Sequence, residues 1–133
     1  MSKASEEKIL GGIAHLGILL NWVGAVGALI IYLTQKDKSS FIGDHAKQAL
    51  GYQICVLVIF NVLNLLFAGR FISGFMTRMH HGMYPFGPGF FGAAGLVSLL
   101  FLAAVIYAIV ASVNAFSGNK FKYAVIGDFV DGI

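Results

Sequence analysis

Three windows of the chain contain no Asp, Glu, Lys or Arg: 27 residues between Lys8 and Lys36, 22 between Lys47 and Arg70, and 41 between Arg78 and Lys120. A helix needs about 20 mostly apolar residues to cross a bilayer core ~30 Å thick, so each window has room for one span. Charged residues make up 11% of the 133, against about 25% in a typical soluble domain. That is too little charge to clothe a water-facing surface. The chain therefore reads as all-α, an integral membrane bundle of three transmembrane helices forming one membrane domain over residues 1–133. The spans are expected at about 9–34, 45–68 and 93–116, joined through a Gly, Pro, Met, His and aromatic loop at 69–92.

The first window has a soft middle, "NWVGAVG", from Asn21 to Gly27. Helix 1 is expected to bend there, or to split into an interfacial and a spanning piece, which would add a short fourth helix. A piece from Trp22 to Thr34 would be only about 20 Å long, too short to cross alone, so a single bent span is preferred. Lys3 and Lys8 ahead of this stretch give it a loose likeness to a signal peptide. Its length and the spans behind it favour an uncleaved helix. Ser39, Ser40 and Asp44 are candidate N-caps for helix 2, and Gly118 is the stop of helix 3.

Nine basic and six acidic residues give a net charge of +3, with no basic stripe for nucleic acid. With three spans, Lys3, Lys8, Arg70 and Arg78 share one side, and Lys36, Lys38, Lys47, Lys120 and Lys122 the other. The bias toward a cytoplasmic Lys36–Lys47 loop and C-terminus is slight. The single cysteine, Cys55, lies in an apolar run and reads as a small buried hydrophobe.

Polar residues within apolar helices mark inter-helix bonds or a function. Gln53, Asn61 and Asn64 fall within about 80° of one another on helix 2, as glue between helices or as the wall of a polar path. Tyr107 and Asn114 share a face of helix 3 and are candidate partners. His15 lies two turns into helix 1. If that helix spans, some 28 Å separates His15 from the end where His45 begins helix 2, and the two form no common site. Ala104, Ala108, Ala111 and Ala115 make a row of small residues on helix 3, as do Gly17, Gly24 and Ala28 on helix 1. Such rows serve close packing within the chain or a seam between copies.

"GDHAKQALGYQ", Gly43 to Gln53, opens helix 2. His45, Lys47, Gln48 and Gln53 are expected to present a surface site there, either an amphipathic entry to the membrane or a contact for lipid head groups or a partner. With "AHLG" (Ala14 to Gly17), "GALIIYLTQKD" (Gly27 to Asp37) and the tail "ASVNAFSGNKFKYAVIG" (Ala111 to Gly127), it resembles a family of small bacterial membrane proteins related to the membrane-embedded import component of the chloroplast inner envelope. The resemblance implies a bundle of three or four spans without known enzymatic activity, in the bacterial cytoplasmic membrane. The chain departs from the family at Ala124, where proline is common, and in the longer, Met- and His-rich segment 69–92.

No nucleophile with a base, paired intramembrane carboxylates, phosphate loop or zinc motif is present, and the chain is expected not to be an enzyme and to need no cofactor. The leading expectation is a structural or accessory subunit, partnered by the bilayer and by further copies or a larger complex. A channel or translocation component, lined by Gln53, Asn61, Asn64 and Tyr107, is the alternative. A second alternative is a copper-binding protein. Met76, Met79, His80 and Met83 would share helical faces, and thioether and imidazole ligands suit Cu(I).

Overall fold

A computed structural model describes residues 2–84 and 87–133. Its elements are α1 (Lys3–Leu16), a 3-10 turn (Gly17–Leu20), α2 (Trp22–Gln35), α3 (Ser40–His80), α4 (Pro88–Ser117) and the short α5 (Ile126–Asp131), with no strand among the described residues. Two helices, Ser40–His80 and Ala94–Ser117, are long and apolar enough to cross a membrane. Only 11% and 17% of their most apolar windows is buried inside the protein. Apolar helices so open to their surroundings call for lipid.

The first window does not become one bent span. Ser2 caps α1 by accepting the Ser5 amide, and the helix ends at Leu16. Asn21 takes a positive φ of 57° and accepts the Trp22 amide on its side chain. Its own carbonyl takes the amides of Gly24 and Ala25, which starts α2 in a new direction. The absence of side chains at Gly17 and Gly24 lets α1 and α2 close together, since a Cβ on Gly24 would fall on the Gly17 carbonyl. The start of α1 (Lys3, Glu6, Glu7) consequently lines a common groove with the end of α2 and its following turn (Gln35, Lys38, Ser39). Each helix has 14 residues, about 21 Å, too short to cross a bilayer core alone.

Ser39 caps α3, its hydroxyl accepting the Ile42 amide. The helix then runs 41 residues, well past residue 68. Residues 69–80 are thus helical, where a loop was expected. Gly69 and Gly74 weaken a helix by about 1 kcal/mol each but do not remove a hydrogen bond as proline would. The stop is Gly82 (φ +65°), where the Gly82 amide bonds Met79 O and the Met83 amide bonds Arg78 O, a left-handed helix cap. Pro88 begins α4 earlier than Ala93, in keeping with proline's fitness for a first helical turn. Pro85 and Phe86, also assigned to the loop, lie outside the described residues. Gly118 ends α4 with φ +82° by the same kind of cap.

The chain forms two compact units, Met1–Leu57 with Ala104–Ile133, and Val58–Ala103. In the first, Ala14, Ala28, Ala46 and Ala49 form a core of small side chains that brings the hairpin against α3. Ala108, Ala111 and Ala115 are fully buried. The Ala115 methyl lies beside Gly11, and Ser112 donates to the Gly12 carbonyl at 3.0 Å. The small-residue row of α4 therefore seats α1 within the chain. In the second unit, Phe60 and Phe101 meet edge to face at 5.1 Å.

Candidate functional site

The first turns of α3 turn their polar residues inward. His45, Gln48 and Gln53 are buried, so three of the four residues expected at a surface are core, and Lys47 is half-buried. The folded-back hairpin also brings His15 to His45, where a spanning helix 1 would have kept them apart. His15 Nε2 and His45 Nδ1 are 3.0 Å apart, His15 Nδ1 is 3.0 Å from the Tyr123 hydroxyl, and His45 Nε2 is 3.1 Å from the Asn119 carbonyl oxygen.

One end of this chain fixes the direction of all of it. The Asn119 carbonyl only accepts, so His45 Nε2 donates. In the neutral ring Nδ1 is then an acceptor, so His15 Nε2 donates to it. His15 Nδ1 is left as an acceptor, and the Tyr123 hydroxyl donates to it. Every bond is satisfied with both imidazoles neutral, and all four ring nitrogens are used.

Aromatic rings pack around these bonds. Tyr123 stacks on Tyr52 with ring centres 3.9 Å apart and planes 2° apart. Phe41 covers His45, and Phe121 meets His15 edge-on. Tyr52 donates to the Ala104 carbonyl, and the Tyr107 hydroxyl accepts the Ala124 amide. Gln48 spends both amide hydrogens, on the Gly127 carbonyl and the Asp131 carboxylate, and its oxygen accepts the Tyr123 amide. Gln53 donates to the Ala14 carbonyl at 2.7 Å, one of those left open where α1 ends. Its own oxygen is buried and lacks a partner among the described residues. Lys47 reaches the Asp131 carbonyl, and Lys122 pairs with Asp128 (2.5 Å) and Asp131 (2.7 Å).

The remaining expected residues lie elsewhere. Tyr107 bonds the tail instead of Asn114. Asn64 and Asn114 donate to carbonyls of their own helices, Phe60 and Val110, and Asn61 is exposed on α3. Met76, Met79, His80 and Met83 are exposed at the end of α3. Tyr123, Asn119, Tyr52, Ser112 and Asp131 complete the cluster without having been marked in the sequence. The alternation of Lys120 and Lys122 with Phe121 and Tyr123 was the available signal, since period-two alternation gives an extended segment one apolar side.

The cluster is a clamp that ties α1, α3, α4 and the tail together through paired polar groups, the Gln53 oxygen excepted. Among the described residues no group of three or more His, Cys, Asp or Glu could hold a metal ion. These features define an all-helical membrane protein whose polar core is a joint between chain segments. The chain belongs to the MamF/MmsF family, the magnetosome magnetite crystal formation protein family, which matches residues 6–130. That match bears out a bacterial membrane-protein family but carries no link to the chloroplast import component. No curated protein and no solved structure matches the chain.

Replacing Tyr123 by Phe keeps the stack on Tyr52 and removes the hydroxyl that donates to His15 Nδ1. A buried acceptor left unpaired costs about 1–3 kcal/mol, so Tyr123→Phe should lower stability by that amount in denaturant unfolding of the detergent-solubilised protein. An unchanged midpoint would count against the clamp.

The tail also answers to pH. Asp131 is held below its ordinary value, most by the hydrogen bond from Lys122, against partial desolvation, with Gln48 adding to the effect. Lys122 is raised by its bonds to Asp128 and then Asp131. The depressed carboxyl favours docking above the ordinary carboxylate range, and that contribution is lost as pH falls from about 4. The raised ammonium contributes below about pH 10 and is lost above it. Proteolysis of residues 119–133 should therefore be slowest near neutrality, and Asp131→Asn should remove the acid limb of the profile.

Proposed function

We infer that the protein is a non-enzymatic, multi-pass component of the magnetosome membrane, acting in magnetite crystal formation as a structural or accessory subunit of a membrane assembly. The observation that carries this reading is the family match over residues 6–130. Two apolar helices with little of their surface buried support a bilayer setting. The clamp supports a structural role, because its histidines have no nitrogen left for a substrate or metal. A translocation path is less well supported. The Gln53 amide is spent on α1, and those of Asn64 and Asn114 on their own helices.

The hairpin favours one orientation. With α1 and α2 entering and leaving on one face, only α3 and α4 cross, and both termini share a side. That side carries Lys3, Lys8, Lys36, Lys38, Lys47, Lys120 and Lys122, and the other carries Arg70 and Arg78. The count moves from five against four to seven against two, which the positive-inside rule reads as cytoplasmic termini. An N-terminal and a C-terminal reporter should both be active in the cytoplasm, whereas termini on opposite faces would mean that the first window spans. Removal of the protein from its native host should alter magnetite crystal size or shape in electron micrographs. Crystals indistinguishable from wild type would overturn the functional reading.

A further inference from the structure

We propose that the end of α3 is a soft-metal site that binds one Cu(I) ion through Met76, Met79 and His80, with Met83 as a fourth ligand. Three of the protein's four methionines fall within these eight residues. Methionine in a helix is ordinarily apolar filler for a core, yet Met76, Met79 and Met83 are 64%, 55% and 59% exposed. More than half of each stays uncovered among the described residues.

The backbone supplies the convergence. Residues three and four apart on a helix have Cβ atoms about 5–6 Å from one another. Because α3 is helical through His80, Met76, Met79 and His80 stand together on one face within reach of a single ion. The cap at Gly82 then turns the chain back, and the Met83 amide bonds the Arg78 carbonyl at 2.9 Å. The fourth side chain thereby starts beside the helix end instead of leading away from it. The charge-free window of α3 ends at Arg70, and Met76 begins about 9 Å further along the axis, where a dissolved ion can reach it.

The donor set selects the metal. Thioethers and a neutral imidazole suit a soft, monovalent ion, while carboxylate and water ligands suit hard ones. Residues 69–92 contain no Asp or Glu, so nothing in the segment favours Fe(III), Mg(II) or Ca(II). Arg78, inside the cluster, repels a divalent ion twice as strongly as a monovalent one at the same distance.

The test is anaerobic titration of the full chain in detergent with Cu(I) against a chromophoric chelator. One equivalent should bind in wild type, with sulfur and nitrogen scatterers in X-ray absorption. Met→Leu changes nearly conserve volume, so Met76→Leu with Met79→Leu and Met83→Leu should leave the helix intact. That triple variant should lose the equivalent, and His80→Gln should weaken it by about tenfold or more, the scale on which metal sites respond to lost support. Fe(II) in excess should not displace the copper. No uptake by wild type would overturn the site. So would equal uptake by the triple variant, which would mark an adventitious ion only. The readout is binding, so it stands or falls separately from any effect on crystals.

Discussion

Where the backbone turns at Asn21, it leaves helical carbonyls and amides open at the facing ends of α1 and α2. A lipid-embedded chain has no water to satisfy them, so other parts of the protein must. Asn21 serves the start of α2 with its own side chain and carbonyl. The end of α1 is served from a distance, by Gln53 on the Ala14 carbonyl. Much of the polar content of α3 follows from that requirement. Gln53 lies where the hairpin needs a donor, and His45 where His15 needs an acceptor.

The same logic extends to the tail. His45 donates its single N–H to the Asn119 carbonyl, and His15 accepts a hydrogen bond from the Tyr123 hydroxyl. The segment after α4 is therefore part of the core. Gln48 closes the arrangement by reading three groups of that segment at once. Any one bond of this kind is worth about 1 kcal/mol net, but an interrupted one costs the desolvation of the group left behind. A network in which each residue both gives and takes is for that reason sensitive to single changes and specific for one arrangement of segments.

Much of this fold was legible in the sequence, and the part that was not has a definite cause. The charge-free windows located α3 and α4, Gly118 marked the end of α4, and the alanine row identified the face that seats α1. These signals are local, and a residue's type suffices to read them. The break at Asn21 was visible as a soft stretch, but whether a helix bends or reverses depends on contacts between residues such as Gly17 and Gly24, which no local pattern fixes. Placing the turn wrongly moved His15 to the far side of the membrane and hid the cluster. The helix at residues 69–80 was missed for a different reason. Its glycines and its proximity to Pro85 and Pro88 suggested a loop, but glycine lowers helix stability without ending a helix that has apolar neighbours to carry it.

The hairpin also changes what charge can say about a chain this poor in it. A count of lysines and arginines orients a membrane protein only after the number of crossings is known, because each added crossing exchanges the sides of all that follows. Counted over three crossings, the nine basic residues nearly cancel. Counted over two, seven of the nine fall on the side of the termini. The exposed methionines and His80 lie past Arg70 along the chain. The joint and the exposed methionines belong to different compact units, Met1–Leu57 with Ala104–Ile133 for the one and Val58–Ala103 for the other. Chemistry at the end of α3 can then vary without disturbing the bonds that hold the hairpin in place.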